Sequence, residues 1–140
     1  MASPLVVFDT VVVVRALIGK PGNANLRAVE AAGTGALRTA LSDDGLRELR
    51  RIVVDLEPKI VNPVRAFEVV NDLWVHGTLH RPPRYDWPSV NDPDDYWQPD
   101  LAFEAAADYI VTHDPHLLEA ELPLPTEVVT PAELLRELGL

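Results

Sequence analysis

Leu5-Val6-Val7-Phe8 is an unbroken apolar run that ends at Asp9. A strand that is apolar on both faces belongs in the interior of a sheet covered on both sides, the usual setting of a parallel sheet. Leu37 to Leu41, Tyr109-Ile110-Val111-Thr112 and Glu127-Val128-Val129-Thr130 read as further strands, and helical segments alternate with them. Val11 to Ile18 reads as a buried first helix, although its valines suit a strand equally well. Asn23 is a plausible N-cap for Ala24 to Ala32, which Gly33 and Gly35 close. Ser42 caps a helix from Asp43 to about Leu56, with Asp43 and Asp44 placed where the helix dipole favours them. Pro58 and Pro63 divide the next stretch, and Val64 to Trp74 is again helical. Gly77 to Pro93, with four prolines and two aromatics, reads as a long loop. Leu101 to Ala107 is helical, Asp114-Pro115 starts a short helix through Glu119, and Pro131 opens a last one. The alternation predicts a three-layer α/β/α sandwich on a mainly parallel sheet of four or five strands. With 140 residues, residues 1–140 are expected to form one domain, because smaller pieces would bury too little.

The balance of 22 acidic against 12 basic residues leaves a net charge of −10. Such a chain repels nucleic acid unless cations or a basic patch intervene. It suits a domain that gathers carboxylates around divalent metal, or one that meets a basic partner. The absence of cysteine excludes a disulfide framework, a thiolate nucleophile and a thiolate zinc site. A cytoplasmic location is expected. Met1 to Pro4 carries no basic run, so no signal peptide is expected. No membrane span is expected either, since no apolar run approaches roughly 18 residues.

In open parallel sheets, ligands bind beyond the carboxyl ends of the strands. Asp9 and Asp114 both fall at or just after a strand end, so two acids far apart in the chain are predicted to share one sheet edge. Three fragments carry a more specific signal: Val6-Val7-Phe8-Asp9-Thr10; Ser42-Asp43-Asp44-Gly45-Leu46-Arg47-Glu48-Leu49; and Asp92-Pro93-Asp94-Asp95 followed by Ala105 to Leu118, with its Thr112-His113-Asp114-Pro115 core. In this order and spacing the chain resembles the PIN domain family, in the branch of toxin components akin to VapC. The resemblance runs from Val6 to about Leu135. It implies an acidic pocket that binds Mg²⁺ or Mn²⁺ and cleaves single-stranded RNA, with Asp9, Glu48 and Asp114 as ligands and Thr10 and Thr112 orienting them. It also implies an antitoxin protein as partner, and a homodimer. Metal suits this chemistry because it lowers the pKa of bound water and neutralises charge developing on the phosphate, and carboxylates are hard oxygen ligands.

Two positions depart from the family pattern. Val11 stands where Asn is usual, and the third acidic position falls on Tyr96. Either Asp95, one residue earlier, or Asp100, four residues later, would supply the missing oxygen, unless that ligand is gone. A PIN-fold binding module with weakened or no activity is therefore the competing reading.

Each of these residues also has a plainer role. Asp9 and Asp114 suit helix caps. Glu48 suits a solvated helix face, and Asp92, Asp94 and Asp95 a solvated turn. His76, His80, His113 and His116 lack the helical spacing of a zinc site, although His113 sits where it would touch substrate. Arg47, Arg50 and Arg51 flank Glu48, and Arg47 and Arg51 are candidates for holding phosphates. Arg81, Arg84, Tyr85, Trp87, Tyr96 and Trp97 combine charge and rings as stacking surfaces for single strands do; alternatively, Trp87 and Trp97 pin the proline-rich loop to the core. The opening Val6-Val7-Phe8-Asp9 also resembles haloacid-dehalogenase phosphatases, but Val11 occupies the place of their second Asp. No glycine-rich phosphate loop is present.

Overall fold

A computed structural model describes residues 2–56, 59–60 and 63–140. The break expected at Pro58 lies outside the described residues. Five strands, β1 (Leu5–Phe8), β2 (Arg38–Ser42), β3 (Thr78–His80), β4 (Tyr109–Val111) and β5 (Glu127–Val129), form one sheet in the order β3-β2-β1-β4-β5. Every pairing is parallel. The helices are α1 (Thr10–Ile18), α2 (Ala24–Gly33), α3 (Asp43–Leu56), α4 (Pro63–His76), α5 (Trp97–Ala105), α6 (Pro115–Leu118) and α7 (Pro131–Leu138), and Pro93–Asp95 is a 3₁₀ turn.

The two-residue period of β1 divides the core. Val6 and Phe8 pack on one face with α1, α2, α4 and α7, and Leu5 and Val7 pack on the other with Leu101 and Ala102 of α5. All four residues of β1 are buried, as a strand inside a three-layer sandwich must be. The ambiguous valines form a helix because Val12, Val13, Val14 and Ala16 all find buried places in it. Tertiary packing thus overrides their strand preference.

Three expectations need adjusting. The segment Gly77 to Pro93 is not all loop, since Thr78–His80 pairs with β2 as an edge strand. It is three residues long and mostly exposed, too short to leave a periodic signature. The helix expected from Leu101 begins at Trp97. Pro99 is its third residue, in the first turn, where a missing N–H breaks no helical bond. The same helix ends at Ala105, with Ala106 in the left-handed conformation at φ 53°.

The strand order places the functional edge. From β1 the chain builds outward through β2 and β3 on one side, then returns to add β4 and β5 on the other. The crevice beyond β1 and β4 is thus the switch point of the sheet.

Candidate active site

Asp9 follows β1 and caps α1, with Oδ1 accepting from the Val11 N–H at 3.2 Å. Its other oxygen, Oδ2, accepts from Thr112 Oγ1 at 2.6 Å. Thr112 directly follows β4 and is fully buried. Its hydroxyl also accepts from the Asp114 N–H at 3.0 Å, so one buried hydroxyl ties together the two acid-bearing strand ends. Asp114 caps α6 through Oδ1, which accepts from the His116 N–H at 2.9 Å. The capping roles expected for Asp9 and Asp114 are therefore real, but each cap uses one carboxylate oxygen.

Glu48 arrives from the other side on α3. Thr10, the first residue of α1 and buried, donates from Oγ1 to Glu48 Oε2 at 2.8 Å. The start of α3 is fixed by Ser42 Oγ, which accepts from the Gly45 N–H at 3.1 Å. It is fixed further by a close approach to α5: a Cβ on Gly45 would lie 2.9 Å from the Trp97 ring. Sequence reasoning passed over this contact. A glycine three residues after a helix cap, in a good helix-forming segment, was the available signal.

Asp95 ends the 3₁₀ turn. Its carboxyl is pushed from an ordinary 3.8 up to about 6, first by partial burial and then by the negative charges of Asp114, Asp92, Asp9 and Glu48. Five acids from four separate segments thus share one electrostatic neighbourhood. Asp92 contributes charge while capping its own turn, with Oδ1 accepting from the Asp94 N–H at 3.0 Å. Asp100 is not among the charges that act on Asp95. It is buried, and its Oδ1 accepts from the Tyr85 N–H at 3.0 Å and from Trp87 Nε1 at 2.8 Å. Asp100 therefore anchors the proline-rich segment, and Trp87 is pinned to the core as the plainer reading expected.

The donor set fits a hard divalent cation: carboxylates close enough to raise one another's proton affinity are relieved by positive charge. Among the described residues, no three His, Asp or Glu side chains form a ready-made cluster for direct ligation. Mg²⁺ characteristically keeps several waters and takes only one or two carboxylates directly, so an arrangement of this looseness remains compatible with it.

The flanking candidates divide. Arg47 is exposed and lies 3.5 Å from Asp44. Arg47, Arg51, Arg84, Tyr85, Tyr96 and Trp97 surround a cleft of about 590 Å³ that reaches Glu48. His113 sits toward α2, with Nε2 2.6 Å from Asn25 Oδ1. Burial and the Arg15 charge lower its pKa, and Asp9 opposes them. Val11 is exposed, and the Tyr96 hydroxyl donates to Asp86 Oδ1 at 3.2 Å. His76 hydrogen-bonds the Asp72 carbonyl and the His116 ring the Asn91 amide. No helix among the described residues is long and apolar enough to cross a membrane.

Comparison with known proteins agrees with the fold. No curated protein matches the chain. Among solved structures, VapBC2 from Rickettsia felis, bound to a DNA fragment from its promoter, is similar at 13% identity with a TM-score of 0.55. The match covers 89% of this chain and 96% of that one, and at such identity it speaks for the fold. A family model described as PIN domain matches residues 5–116, most of the chain, and the chain therefore belongs to the PIN domain family.

Proposed function

We propose that this chain is a metal-dependent endoribonuclease that hydrolyses single-stranded RNA, and that it is the toxin half of a toxin–antitoxin pair. The observation that carries the reading is that Asp9, Glu48 and Asp114, from three separate segments, all lie near enough to Asp95 for their charges to raise its pKa, at the switch edge of the sheet. PIN domains are typically metal-dependent nucleases. Asp9, Glu48, Asp95 and Asp114 would hold Mg²⁺ or Mn²⁺, and Asp95 rather than Asp100 takes the third acidic place. When bound, such an ion supplies an activated water and neutralises charge on the phosphate. Thr112 and Thr10 fix the orientation of Asp9 and Glu48 through their hydroxyl bonds, so that these carboxylates need not reorganise. Arg47 and Arg51, beside Glu48, draw the phosphate backbone toward an otherwise repelling molecule. His113, beside Asp9, would contact the substrate on the opposite side of the site.

Partner binding is supported by α4, whose Val64, Phe67 and Trp74 are exposed, the last two lining an apolar cavity of about 260 Å³. Exposed apolar groups of this size mark association surfaces. An antitoxin and a second copy are the two proposed occupants.

The competing reading, a PIN-fold module without activity, is favoured by the exposed Val11 and by the lack of a ready-made ligand cluster. Purified protein incubated with single-stranded RNA and Mn²⁺ separates the two. Cleavage by the parent, absent from Asp9→Asn and Asp114→Asn, supports the nuclease. Intact RNA with the parent at millimolar Mn²⁺ supports the module.

A further inference from the structure

The cleft beside Glu48 holds groups that a cation site does not need. In a chain of net charge −10, Arg51 and Arg84 line it with no carboxylate of the described residues in ion-pair range, although Asp44, Glu48, Asp94 and Asp100 share its walls, and the Arg47–Asp44 pair is solvent-exposed. Unpaired cations facing a cavity attract anions, and exposed pairs hold their partners weakly. Three rings, Tyr85, Tyr96 and Trp97, share the same walls.

The walls are held in place. Tyr85 stands edge-on to Trp87 at 6.1 Å and to Phe103 at 5.1 Å between ring centres. Asp100 Oδ1 clamps the Tyr85 backbone and the Trp87 indole. Asp100 itself is 5% exposed and lines the cleft. Its second oxygen accepts no hydrogen bond from the protein, yet it is not among the sealed unpaired atoms. A deeply set carboxylate oxygen thus faces the cavity without a donor. The volume, about 590 Å³, falls in the range of small-ligand sites, roughly 300–1,000 Å³.

We infer that this cleft is an RNA subsite that takes one unpaired, amino-bearing base beside the phosphodiester held at Glu48. The base stacks on Tyr96 and Trp97, Arg51 and Arg84 take the flanking phosphates, and Asp100 accepts from the exocyclic amino group. Rings accept any unstacked base, and a duplex would withhold its bases. A carboxylate acceptor favours cytosine, whose N4 donates, over uracil, whose O4 repels it. The location next to the cut rests on the nuclease reading; the binding itself does not.

The test is fluorescence anisotropy with labelled single-stranded RNA in Mg²⁺, using Asp114→Asn to prevent cleavage. In that background, Tyr96→Leu or Arg84→Gln should raise Kd about tenfold, whereas Tyr96→Phe, which keeps the ring, should restore binding. Oligo-C should bind about fivefold more tightly than oligo-U. Unchanged affinity in both Tyr96→Leu and Arg84→Gln overturns the subsite. Equal affinity for the two homopolymers overturns the role of Asp100. RNA cleavage by the parent separates the two readings. Cleft-dependent binding without cleavage leaves the subsite standing and removes the nuclease; cleavage indifferent to the cleft variants does the reverse.

Discussion

Thr112 is a small side chain on which two acids depend. Its hydroxyl donates to Asp9 Oδ2 and accepts from the Asp114 N–H in a buried setting. Thr112→Val keeps the shape but leaves a carboxylate oxygen and an N–H without their partner, at a cost of about 2–3 kcal/mol. Urea denaturation checks this, and a loss below about 0.5 kcal/mol would mean that water replaces the hydroxyl at no cost. Asp95 gives a pH-dependent counterpart. Its folded pKa, about 6, lies above its ordinary 3.8, so the native state binds this proton more tightly than the unfolded chain. Its contribution is full below about pH 4 and is lost as pH rises through 6. Asp95→Asn should therefore stabilise the metal-free protein at pH 7 and make no difference near pH 4. The bare shift corresponds to about 3 kcal/mol, but Asp95 is partly exposed and solvent screening reduces the gain to about 1 kcal/mol. Denaturation in chelator across that pH range would refute this if the gain did not change with pH.

Among the elements, α3 carries Glu48 and depends on α5 for its position. A methyl at Gly45 would meet Trp97 Cζ3 at 2.9 Å, closer than packed side chains allow. Gly45→Ala should cost about 1–3 kcal/mol by overpacking, despite the better helix propensity of alanine. It should also pull Glu48 from Thr10 and lower RNA cleavage at temperatures where the variant is fully folded. Wild-type stability and cleavage would show that α3 shifts freely. Elements with strong local signals were legible in the sequence: the apolar β1, the Asn23 and Ser42 caps, and the final helix, where Thr130 and Glu133 form a capping box. β3 was not, because three mostly exposed residues carry no period. The start of α5 was obscured by Pro99, which reads as a breaker until its place in the first turn is known.

At the scale of the whole molecule, the strand-end acids were legible because a parallel sheet brings its carboxyl edge together whatever the separation in sequence. That Asp95 rather than Asp100 feels the charges of Asp9, Glu48 and Asp114 was not, because it depends on how the proline-rich segment folds back, with one oxygen of Asp100 turned to Tyr85 and Trp87. The net charge of −10 adds a general self-repulsion that any salt screens, and the acids around Asp95 add a local one that a bound divalent cation would relieve at neutral pH. These effects separate experimentally. At matched ionic strength, Na⁺ should stabilise the parent, Asp9→Asn and Asp114→Asn alike. Mn²⁺ should give the parent an extra increment that rises with concentration and reaches about 2.7 kcal/mol at a hundredfold excess over Kd. Each variant removes one carboxylate from the point of convergence, so the increment should shrink in both. If Mn²⁺ acts no differently from Na⁺ on the parent, the acids repel one another without forming a cation site, and the proposed hydrolysis loses its basis.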